Sequence, residues 1–281
     1  MRDFWILLSQ HVYLQHALLA GLLASVAGGV VGTFVTLRRI AYLGGAIAHC
    51  TLGGMGAVVY SRRVLGWTAL EPLHGAIVAA VVGAVAIGLA RHYGRQREDS
   101  LISLIWAVGM ALGVIFLYKT PGYNQDLMSY LFGDILFVSK TELGLMATLD
   151  IVLLTLVVGF YQHLKAFCFD EEFAKLQGVR IEALSILLLM LAAVTVVLLV
   201  VVVGLVMAIA LLTLPAAVAC LFARRLWEAL LGATAFSALA VCSGLWISYR
   251  SDLPTGAVII LTAAAGYCLL GMLKRLHEVY R

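Results

Sequence analysis

About nine apolar runs, each near the length needed to cross a lipid bilayer and joined by short polar connections, dominate this chain and leave it little choice of environment. A hydrocarbon core takes roughly 20 apolar residues as a helix. Backbone groups in lipid must also be satisfied within the segment, so each run is a helix. Spans are expected at 13–37, 41–60, 72–91, 101–118, 142–163, 181–201, 203–224, 227–249 and 255–275. The apolar stretch 181–214 is too long for one helix at ordinary tilt, and Gly204, the small residue near its middle, divides it. With 63% hydrophobic and 12% charged residues, there is more apolar surface than a soluble domain can bury. The expected fold is all-α: a polytopic membrane helical bundle of about eight to nine transmembrane helices, forming one domain over residues 1–281.

Two intervals do not fit the spanning pattern. DLMSYLFGDILFV (126–138) is apolar but too short to cross, and it carries Asp126 and Asp134; it reads as re-entrant or interfacial. CFDEEFAKLQGVRIE (168–182) is a polar island. Asp170 suits a helix N-cap, Glu171 and Glu172 suit the first turn, Lys175 the last, and Gly178 the C′ position. Phe173 and Leu176, three apart, give that two-turn helix an apolar face, and a helix so short needs a surface to lie against.

The positive-inside rule sets the orientation. With the first span running inward, six Lys and Arg residues face outward: Arg2, Arg62, Arg63, Lys119, Lys140 and Arg250. The other 13 of the 19 then face the cytoplasm, together with the polar island and the C-terminus. The net charge of +4 is explained by this asymmetry, and no nucleic-acid partner is expected. The five cysteines lack C-x-x-C spacing and lie mostly inside apolar runs, which argues against disulfides or a zinc knuckle.

Ionisable groups inside spans are costly and are functional hypotheses by default. His49, in the second span among small residues, is a candidate ligand or gate; a buried imidazole bonded to a neighbouring carbonyl is the plainer alternative. Asp150, in the fifth span, suits a pathway role or a structural hydrogen bond equally. Glu71 and His74 open the third span three residues apart, where they would share a face toward one cation, although a dipole-favoured helix start explains them as well. Asp134 and Asp126 are weighed in the same way. Pro215 falls inside the seventh span and predicts a broken or kinked helix. The chain has no G-x-x-x-x-G-K-[ST], H-E-x-x-H or G-x-S-x-G, so ATP-driven work would need a second polypeptide.

Five stretches in order, LRRIAYLGGAIAH (37–49), DLMSYLFGDIL (126–136), DEEFAKLQGV (170–179), VGLVMAIALLTLPAAVA (203–219) and DLPTGAVIIL (252–261), resemble the integral-membrane permeases of ATP-binding-cassette importers for zinc, manganese and iron. The FGD element is closer to the zinc branch. The resemblance implies a homodimer in the bacterial inner membrane, two cytoplasmic ATPases, an extracytoplasmic metal-binding protein, and a divalent ion as substrate rather than a prosthetic group. It implies that 170–178 is a coupling helix docking on the ATPase. It also implies a metal gate near the outer side, built from an Asp and a His one turn apart in the second span. His49 matches the histidine; Gly45 stands at the carboxylate position. The alternatives are a permease for a chelated metal such as haem, cobalamin or a siderophore, or a proton-coupled secondary transporter using Asp150 and His49.

Overall fold

The computed structural model describes residues 11–67, 69–93, 98–120, 133 and 135–279. Eleven α-helices and one 3-10 turn account for the regular structure among them: α1 (Val12–Leu37), α2 (Ala41–Val64), α3 (Pro72–Tyr93), α4 (Glu98–Lys119), α5 (Lys140–Gly159), α6 (Tyr161–Phe169), α7 (Glu171–Leu176), α8 (Ile181–Val203), α9 (Leu205–Phe222), α10 (Leu226–Ser251) and α11 (Thr255–Val279), with the 3-10 turn at Ile135–Phe137. Nine of the described helices are long and apolar enough to span a membrane, in the order and near the positions that the apolar runs predict. The fold is a polytopic helical bundle.

Two packing groups meet along α8, which packs on both α1 and α3. Helix α1 is buried over most of its length and packs on α9, α10, α8 and α5. Although α2 follows α1 after a three-residue turn, it packs chiefly on α3 and α4. Small residues bring those backbones together: a Cβ added at Gly54 would fall on the backbone of Gly75, and one at Gly53 would lie 2.8 Å from the carbonyl oxygen of Gly109. This is the close approach that small residues provide in lipid, where dispersion rather than water exclusion drives helix association.

The break in the long apolar stretch falls at Gly204, with φ 85° and ψ 162°, a region essentially restricted to glycine. Ala27 of α1 borders the same cleft as Val194 of α8, and Gly28 lies against the carbonyl of Leu211 on α9. The two helices therefore fold back beside α1 rather than run on. The expected division lies at Gly204, and Pro215 falls within α9, which is assigned as helix from Leu205 to Phe222. Lacking an N–H, Pro215 leaves the carbonyl of Leu211 without its helical donor, and that oxygen would sit 3.1 Å from a Cβ at Gly28.

The fifth span is shorter than the expected 142–163. A capping box starts α5, with Ser139 Oγ accepting from the Glu142 N–H and Glu142 Oε2 accepting from the Ser139 N–H at 2.8 Å. The helix stops at Gly159, Phe160 leaves helical geometry at φ −101°, ψ 15°, and the chain re-enters as α6, which buries Leu164 and Phe167. Gln162, His163 and Lys165 thus belong to a separate amphipathic helix. Of the short 126–138 interval, Gly133 packs against the Val203–Gly204 backbone and Ile135 is buried; Asp126 and Asp134 lie outside the described residues.

Candidate functional site

His49 is the ninth residue of α2, about 12 Å along the helix axis from the Arg38 end at 1.5 Å per residue. It is therefore nearer the face that carries α6 and α7 than the opposite face, where the resemblance puts the gate. Its imidazole is buried, and Nδ1 has no hydrogen-bond partner among the described residues. The ring stacks on Trp106 of α4, with centroids 4.9 Å apart and planes inclined by 18°. The same indole covers Gly45: a Cβ there would lie 3.3 Å from both Cη2 and Cζ3 of Trp106. Where the resemblance implies a carboxylate, the protein has an aromatic lid over a bare backbone.

Trp106 was not singled out from the sequence. The available signal was its position, since Trp106 is the seventh residue of the span Ser100–Lys119, inside the end where tryptophan is enriched. Next to His49, Cys50 donates its thiol to the carbonyl of Ala79, and a cleft of about 310 Å³ lies between α2, α3 and α4, lined by Cys50, Gly53, Ala79, Gly83, Ile105 and Gly109.

The other candidates lie elsewhere. Asp150 sits mid-way along α5, 6% exposed, with Oδ2 unpartnered among the described residues. It borders a cleft of about 250 Å³ between α1, α5 and α8 whose walls include Leu153, Leu187, Thr195 and Leu198. His49 belongs to the α2–α4 group, so the fold does not bring these two residues together. Glu71 and His74 are exposed at the start of α3, and the Glu71 N–H donates to His74 Nδ1 at 3.2 Å, which turns the ring back onto the helix cap. Among the described residues, no three His, Cys, Asp or Glu side chains converge as a metal site.

The polar island forms α7. Asp170 precedes it in extended geometry, φ −151° and ψ 92°, and its carbonyl accepts from the Ala174 N–H. Gly178 closes the helix at φ 79°: its N–H donates to Lys175 and that of Val179 to Ala174, the paired bonds of a Schellman ending. Ala174 is fully buried, whereas Leu176 is 86% exposed. Glu172 and Lys175 are exposed, and Glu171 pairs with Arg38 at 2.8 Å. The side chain of Phe173 lies outside the described residues. Beside this helix, burial pushes the Cys168 thiol up to about 11, against the opposing pull of the Arg38 charge.

Residues 10–274 match the model of the ABC 3 transport family. A "Probable metal transport system membrane protein" of Chlamydia muridarum is 36% identical over 92% of this chain and 88% of its own length. "Manganese transport system membrane protein MntC" of Halalkalibacterium halodurans is 32% identical over 93% of this chain and 87% of its own. Among solved structures, PsaBC from Streptococcus pneumoniae in complex with Fab superposes with a TM-score of 0.84 at 30% identity, covering 96% of this chain and 94% of that one. An inward-facing putative metal-chelate type ABC transporter superposes at 0.71 with 15% identity over 94% and 87%, a likeness of fold alone.

Proposed function

The chain belongs to the ABC 3 transport family as an integral-membrane permease subunit for metal transport, and we propose that it imports zinc, ahead of manganese, as a homodimer in the bacterial inner membrane with its C-terminus in the cytoplasm. Separate cytoplasmic ATPases dock on α7 through Leu176 and Phe173, with Asp170, Glu172 and Gly178 shaping the helix. An extracytoplasmic binding protein delivers the ion. His49 is the ligand on the path; Glu71, His74, Asp134 and Asp150 are secondary candidates along it.

The choice of ion is carried by the environment of His49. Its Nδ1 is free of any described partner, and Gly45 supplies no carboxylate. Imidazole suits zinc, whereas manganese favours carboxylate, carbonyl and water oxygens. The relatives named for manganese transport weigh the other way, so the test is a direct competition. The chain, reconstituted in liposomes with its ATPase and binding protein, should accumulate radioactive zinc in an ATP-dependent manner that excess manganese does not suppress, and His49→Ala should lose most of that uptake. Uptake without ATP would defeat the permease reading. ATP-driven uptake of manganese in preference to zinc would overturn the choice of ion.

A further inference from the structure

The proposed docking helix and the proposed ion ligand lie on different elements, and Arg38, in the turn that leads from α1 to the helix of His49, contacts the first residue of α7. Arg38 caps α1, and its side chain is 11% exposed. Its guanidinium lies 4.0 Å from the centroid of the Phe167 ring. One terminal nitrogen donates to the Phe167 carbonyl at 3.0 Å and the other to Glu171 Oε2 at 2.8 Å. Arg38 thus grips the end of α6 and the first residue of α7 together. The planar guanidinium fork does this where a lysine ammonium, a point charge, would not.

On its other side Arg38 belongs to the joint between the two packing groups. Arg39 holds φ 58°, a left-handed conformation that favours glycine, and the Ile40 N–H closes back onto the Val35 carbonyl. Helix α2 starts at Ala41 and carries His49 two turns later. Helix α2 packs chiefly on α3 and α4 and touches α1 little, so the turn through Arg38 is the direct link between α1 and the α2–α4 group, which otherwise rests on α8 and α9. Arg38 Nε is buried and finds no acceptor among the described residues.

We propose that Arg38 is the positioning residue that transmits movement of α7 to α2, and so couples ATPase docking to the setting of His49. This rests on the permease reading above. The measured quantity is the number of metal ions taken up per ATP hydrolysed by the complete reconstituted transporter, for wild type, Arg38→Gln, Glu171→Gln and the double variant. In Arg38→Gln, ATPase co-purification and ATP hydrolysis should persist while ions per ATP fall about tenfold, within the range of ordinary coupling between sites. Glu171→Gln should give a smaller loss, and the double variant should be no worse than Arg38→Gln alone, because the two residues share one interaction. If Arg38→Gln does not accumulate, Arg38→Lys serves, and it should show the same loss per ATP. Unchanged ions per ATP, additive losses, or loss of ATPase association would overturn the inference, the last by making Arg38 a structural anchor. Failure of the wild-type chain to transport with ATP would remove the permease reading, and this inference with it.

Discussion

At the residue scale, Gly45 and Trp106 must be understood as a pair. A side chain at Gly45 would enter ordinary contact only if the indole gave way by a few tenths of an ångström, since two ring carbons stand 3.3 Å from the position of its Cβ. Gly45→Asp alone should therefore add little, whereas Gly45→Asp with Trp106→Ala should tighten zinc binding about tenfold or more in calorimetric titration, the scale on which changes around a ligand move metal affinity. Equal tightening by the single variant would mean that the lid moves freely. Asp150 poses the opposite problem, because a buried oxygen without a partner costs about 1–3 kcal/mol. Asp150→Asn, which removes the charge and keeps the shape, should raise the thermal midpoint in detergent, and ATP-driven uptake that stays intact would remove Asp150 from the candidates on the path. If uptake disappears instead, the carboxylate carries ions or protons.

At the scale of elements, α7 combines a buried face with an exposed one. Ala174 anchors it, while Leu176 stands 86% exposed. Leu176→Asp should change folding stability by less than about 0.5 kcal/mol, yet abolish co-purification of the ATPase; an unaffected complex would move the docking surface elsewhere. The neighbouring α6 offers an independent probe. In a variant retaining Cys168 as its single cysteine, the raised thiol pKa of about 11 means that alkylation at pH 8 is limited by scarce thiolate. The rate should then climb about tenfold per pH unit until pH approaches 11 and level off above it. Removing the Arg38 charge, which favours thiolate, should shift that curve to higher pH. A plateau near pH 9 would place Cys168 in water rather than in the α6 packing.

For the whole molecule, the bilayer explains why the fold was legible and the site was not. A fixed hydrocarbon thickness imposes a length on every span, so nine helices could be placed by counting, and a glycine in a 34-residue apolar stretch had to be the turn. Contacts between helices leave no such trace. Trp106 meets His49 across two helices, and Arg38 meets Glu171 across 133 residues of sequence. The end of α5 at Gly159 leaves little trace in the sequence, because no proline follows it and the chain resumes as helix in α6, with Leu164 and Phe167 buried. Charge makes the remaining whole-molecule statement testable. The fold puts Arg38, α6 and α7 on one face, and the α2–α3 connection with Arg62, Arg63 and Trp67 on the other. Thirteen of 19 basic residues favour the first face as cytoplasmic, while Arg62 and Arg63 oppose it. With the native cysteines replaced, Trp67→Cys should react with a membrane-impermeant maleimide in intact spheroplasts, and Glu172→Cys only after permeabilisation. Because the two positions belong to one folded chain, the reverse pattern would invert every span at once and put the proposed docking helix on the wrong side of the membrane for any cytoplasmic ATPase.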